Sequence, residues 1–82
     1  MKYKTVAYTV TVSYPTKIYN PDKMDNRLVR TADRLELTSG TDYPSGTREL
    51  EFEFVKRKSA YATTAIFRKI KHVRAKITQI VR

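Results

Sequence analysis

Residues 3–14, YKTVAYTVTVSY, alternate with a period of two. Val6, Tyr8, Val10, Val12 and Tyr14 fall on one side, and Thr5, Thr9, Thr11 and Ser13 on the other. Successive side chains of an extended chain point to opposite faces, so this run of β-branched and aromatic residues predicts a half-buried strand, closed by Pro15. Residues 47–55 repeat the pattern: Leu50, Phe52 and Phe54 alternate with Glu49, Glu51 and Glu53. Strands with one apolar and one polar face suit an antiparallel sheet that is covered on one side and wet on the other.

Between these strands the period changes. Asn20 is a helix cap, Pro21 fits the first helical position, and Asp22 and Asp25 favour the positive end of the helix dipole. Met24, Leu28, Thr31/Ala32 and Leu35 continue at spacings of three and four, one stripe toward a core. Arg27, Arg30 and Arg34 read as its solvated side. Leu35 and Leu37 then alternate with Arg34, Glu36 and Thr38 ahead of a Gly- and Pro-containing loop, Ser39 to Gly46. They form either the first strand of a hairpin with residues 47–55 or the last turn of the helix. Ser59 reads as the cap of a second helix, AYATTAIFRKIK, with Ala62, Ala65/Ile66 and Lys69/Ile70 recurring at helical spacing.

The final segment has two readings. Val73, Ala75, Ile77 and Val81 alternate with Arg74, Lys76, Thr78 and Arg82, which predicts a strand. Ile66, Ile70, Val73, Ile77 and Ile80 repeat at 4-3-4-3, which would make 59–81 one long helix. The crowding of Val, Ile and Thr, and the like charges a helix would stack one turn apart, favour the strand.

The order strand–helix–strand–strand–helix–strand resembles the split βαβ, ferredoxin-like arrangement, a likeness of topology carried by no sequence motif. It implies an α+β two-layer sandwich: a four-stranded antiparallel sheet with two helices on one face, and the last strand at an edge. RRM domains resemble this order too, but stack bases on outward aromatic residues of the central strands. Here the matching strand turns Glu49, Glu51 and Glu53 outward, which opposes an RRM-like mode.

Eighty-two residues predict a single domain, 1–82, with a modest core. There is no cysteine, hence no disulfide or thiolate metal site, and no apolar run approaches the roughly 20 residues that span a bilayer. The N-terminus lacks the apolar core of a signal peptide, so the expectation is a cytoplasmic, intracellular chain without a membrane partner. Charge is divided unevenly. Residues 1–54 carry eight cations and eight anions; residues 55–82 carry nine cations and no anion, which is the whole net charge of +9. A polyphosphate rewards such clustering, because each neutralised phosphate releases condensed counterion. The candidate nucleic-acid contacts are therefore Lys56, Arg57, Lys58, Arg68, Lys69, Lys71, Arg74, Lys76 and Arg82. Structured RNA is expected rather than DNA, with Tyr19 and Tyr61 able to stack on unpaired bases. The competing explanation is edge protection by lysine, or a merely solvated face.

Chemistry beyond binding finds little support. A flat row of glutamates does not converge on a metal, and the lone His72 has no recognisable nucleophile beside it. Gly40 and Gly46 both fall in turns, so no glycine-rich phosphate loop exists. The expectation is a non-catalytic protein without cofactor or metal. The alternative is a protein-interaction module, antitoxin-like or an inhibitor of a host factor, docking on an acidic protein or a ribonucleoprotein. Exposed edge strands would also allow a homodimer across a two-fold axis.

Overall fold

A computed structural model describes residues 4–81. The elements are β1 (Thr5–Pro15), α1 (Pro21–Ala32), β2 (Thr38–Asp42), β3 (Thr47–Phe54), α2 (Arg57–Arg68) and β4 (Arg74–Val81). Tyr3, where the alternation begins, lies outside the described residues. The strands form one sheet in the order β2-β3-β1-β4, every neighbouring pair antiparallel. It is an α+β fold with both helices on one face: α2 lies over β1 and β4, and α1 packs beside it against β3.

The core is the dry face that the alternation requires. Tyr8, Val10, Val12 and Tyr14 of β1 and Leu50, Phe52 and Phe54 of β3 are buried against Met24, Leu28 and Ala32 of α1 and Ala60 and Phe67 of α2. Asn20 caps α1 through its side-chain oxygen, which accepts from the Lys23 N–H at 3.3 Å. Asp33, in the left-handed region at φ 56°, ends that helix. Leu35 therefore falls beyond the helix and is 81% exposed, so it belongs neither to the apolar stripe nor to a strand. Arg34 is not on a solvated helix face either: its guanidinium lies 3.9 Å from the Phe54 ring centroid and donates to the Glu53 carbonyl at 2.7 Å.

β2 begins at Thr38, later than the Leu35/Leu37 alternation suggests. Its sequence, TSGTD, contains no apolar side chain, and what makes it a strand is backbone pairing with β3. The four-residue loop closes with the Gly46 N–H donating to Asp42 O at 2.8 Å, and Gly46 takes φ 68°, which its missing Cβ permits.

The second helix also differs from expectation. It starts at Arg57, with Lys56 rather than Ser59 in the cap position and no side-chain cap bond. Its buried stripe is Ala60, Thr63, Thr64 and Phe67, whereas Ala62, Ala65 and Ile66 face outward. Phe67 decides this rotation, because its ring must seat against Phe52, centroids 5.8 Å apart, and the threonines next to it follow it inward. The Thr64 hydroxyl is satisfied by donating to Ala60 O at 2.8 Å. Residues 59–81 are not one helix. A turn at Ile70–Val73, with His72 at φ 67°, reverses the chain into β4, and residues 74–81 form the strand.

Candidate nucleic-acid interface

Among the described residues no element lies over the sheet face away from the helices. Register places its side chains in three columns: Glu49, Glu51 and Glu53 on β3; Ser13, Thr11 and Thr9 on β1; Arg74, Lys76 and Thr78 on β4. Acidic and basic columns thus stand two strands apart, roughly 10 Å at the usual spacing, with hydroxyls between them. The two columns are not joined by an ion pair. Among the described residues the one salt bridge is Arg48 to Asp25, at 2.8 Å.

That salt bridge belongs to a structural network. Arg48 donates from Nε and Nη2 to the Asp25 carboxylate and from Nη1 to Thr41, while Tyr14 donates its hydroxyl to the same carboxylate. Burial, and then the adjoining carboxylate, push the Tyr14 phenol well above its ordinary range. The network ties α1 to β1 and β3, and it withdraws Asp25 and Arg48 from any partner.

Eight of the nine predicted cations lie among the described residues, and they fall into two groups. Because the turn at 70–73 reverses the chain, β4 runs back beneath α2, and Arg74 and Lys76 lie near the C-terminal end of the helix. Arg68 links the layers, its Nε donating to the Ala75 carbonyl at 3.0 Å. Arg68, Lys69, Lys71, Arg74 and Lys76 therefore wrap the β4 edge from helix layer to open face, all exposed. β4 is an edge strand, as the order requires. Lys56, Arg57 and Lys58 sit at the opposite end of α2, about 16 Å away along a helix rising 1.5 Å per residue. Arg82 lies outside the described residues.

The two tyrosines differ in availability. Tyr19 is committed: its hydroxyl donates to Lys71 O at 2.5 Å and its ring meets Tyr14 edge-on. Tyr61 is partly open, with its ring against Tyr8 and the Arg57 guanidinium 5.2 Å from its centroid. His72 is exposed, in the turn that leads into β4. Among the described residues no group of three or more His, Cys, Asp or Glu could hold a metal ion, and no helix is long and apolar enough to cross a membrane.

Sequence reasoning did not find Ser13 and Thr47, which flank His72 and Arg74 in a depression at this end of the sheet. Hydroxyls in a Thr-rich strand carry no local signal, and only the strand register brings them beside the basic corner.

The fold has a counterpart among solved structures. Uncharacterized protein TM1266 from Thermotoga maritima superposes with a TM-score of 0.69 at 12% identity, over 94% of this chain and 99% of that one. At that identity the likeness concerns the fold alone. No family model matches the sequence, and no curated protein does.

Proposed function

We propose that this chain is a small non-catalytic RNA-binding protein that grips the phosphate backbone of structured RNA with the β4-edge corner. Arg68, Lys69, Lys71, Arg74 and Lys76 form the main contact surface, and Lys56, Arg57 and Lys58 are a second contact for longer strands. The observation that carries this reading is the absence of any ion pair to these cations among the described residues, although three glutamates occupy the same sheet face. Edge protection needs one or two lysines, not a band that continues over the helix end. Recognition of this kind reads shape and phosphate rather than base edges, which suits RNA duplex better than a sequence-specific DNA site. The strand order, taken from the other side as β4-β1-β3-β2 with two helices on one face, supports a ferredoxin-like βαββαβ sandwich as the scaffold. A cytoplasmic location fits that partner.

One observation favours a second reading, a protein-interaction or inhibitor module. β2 is an open edge strand with polar side chains, flanked by the largely exposed Leu35, Leu37 and Tyr43. An unpaired edge beside apolar side chains suits strand addition by a partner protein, a ribonucleoprotein or a second copy of the chain. Affinity capture from cells, with sequencing of bound nucleic acid and mass spectrometry of bound protein, separates the two. Enrichment of structured RNA supports the first reading; one stoichiometric protein without RNA overturns it.

A further inference from the structure

Where β1 stops and β4 starts, the surface dips into a depression of about 500 Å³. Tyr14 and Val73, both buried, line its base, and Ser13, Thr47, His72 and Arg74 supply its polar groups. These four come from three strands and a turn. None of their side chains makes a hydrogen bond or ion pair to another described residue. Among the described residues no carboxylate lines the depression. The two other large depressions do contain carboxylates, Asp42 and Glu49 along β2, and Asp22 and Asp25 beneath the hairpin loop.

Two hydroxyls, an imidazole and a guanidinium with no partners of their own are a donor set for a compact anion. The turn that presents them is held on both sides. Val73 N–H donates to Ile70 O at 3.1 Å, the Tyr19 hydroxyl holds Lys71 O, and His72 occupies the left-handed position that glycine usually takes. Arg74 follows two residues later on a paired strand, so the backbone that carries these donors is held in place. Glu49, in register with Ser13, lines a smaller adjoining depression with Ser13, Arg74 and Lys76, and its strand stands two away from that of Arg74, a spacing of roughly 10 Å.

From this geometry we infer that the depression binds a single phosphate monoester, the terminal phosphate of an RNA strand or that of a small free phosphate. A monoester offers three terminal oxygens and up to two charges, where a backbone diester offers two oxygens and one charge. The site thus discriminates strand ends from strand interiors. The RNA source rests on the function proposed above; the phosphate site itself does not.

The experiment uses the full chain labelled with ¹⁵N and has two arms. In the first, inorganic phosphate is titrated against chloride at matched ionic strength. Saturable shifts confined to the amides of Ser13, Thr47, His72 and Arg74 are expected. In the second, one RNA is compared in its 5′-phosphate and 5′-hydroxyl forms, and the phosphorylated form is expected to bind roughly tenfold tighter. Thr47→Val and His72→Asn, the latter tolerant of the left-handed backbone, should bring that ratio to about one. Glu49→Gln should raise phosphate affinity about twofold, the effect of one charge at that distance in water. Saturable phosphate binding without a 5′ preference assigns the site to small free phosphates. The same result with no RNA affinity upholds the site while overturning the RNA reading. RNA binding with a ratio of one, and only diffuse, non-saturating shifts with inorganic phosphate, overturns the site and leaves the RNA reading standing.

Discussion

Replacing Lys71, Arg74 and Lys76 together by Gln removes three of the five cations at the β4-edge corner while leaving Arg68 and Lys69 in place. Each neutralised phosphate contributes about 0.8 to the slope of log affinity against log salt, between the duplex and single-strand values. Five contacts give a slope near −4, and two leave about −1.6. Doubling salt from 0.1 to 0.2 M should then weaken the parent about 16-fold and the variant about 3-fold. The fold should survive. All three side chains are exposed, none forms an ion pair, and the Lys71 group that Tyr19 holds is the backbone carbonyl, which Gln keeps. Stability should shift by no more than about 0.5 kcal/mol, measured by urea unfolding. Fluorescence anisotropy with a labelled RNA hairpin across a salt series reads the slopes. A variant that keeps the parental slope would refute the placement of the interface, whatever its affinity.

Three further outcomes are expected. Phe67→Ala, which empties a fully buried site against Phe52, should cost about 3–5 kcal/mol in urea unfolding, while Ile66→Ala on the outer face should cost less than about 1 kcal/mol. The Tyr14 phenol is held protonated by burial and by Asp25, so its folded pKa stands above the unfolded value of about 10. Its stabilising contribution should be complete below that pH and decline as pH rises toward ionisation in the folded state. Tyr14→Phe should therefore be less stable at neutral pH by about 1 kcal/mol and lose less stability between pH 9 and 11, as followed by urea midpoints. His72→Gly should be neutral or stabilising by up to about 1 kcal/mol because φ 67° suits glycine, and His72→Val should destabilise; thermal melts compare the two.

Local pattern was enough for the elements whose side chains carry their own periodicity. The alternation of β1 from Tyr8 onward and of β3, and the Asn20–Pro21 start of α1, appear as short-range regularities, and the structure places them accordingly; Val6, expected on the apolar face, is instead 43% exposed, because the pairing with β4 shifts register between Thr5 and Ala7. β2 was not legible in the same way. TSGTD has no hydrophobic pattern, and Leu35 and Leu37, which do alternate, lie outside the strand because the helix ends at a left-handed Asp33 and the chain must still cross to reach β3. The Ala62–Ala65/Ile66 stripe on α2 was equally misleading, since a sequence with apolar residues on both sides of a helix does not say which side wins.

By itself, then, the sequence specified an antiparallel sheet wet on one face, two helices to cover the other, and a cationic C-terminal third. Each follows from residue type and spacing over a few positions. Tertiary structure decided how α2 is rotated, through the Phe52–Phe67 contact, and how the cations are shared between the two ends of that helix, through the reversal at His72. It also brought residues 13, 47, 72 and 74 to one depression. Those arrangements depend on which strands become neighbours and in what register, a long-range outcome of packing that no local periodicity encodes.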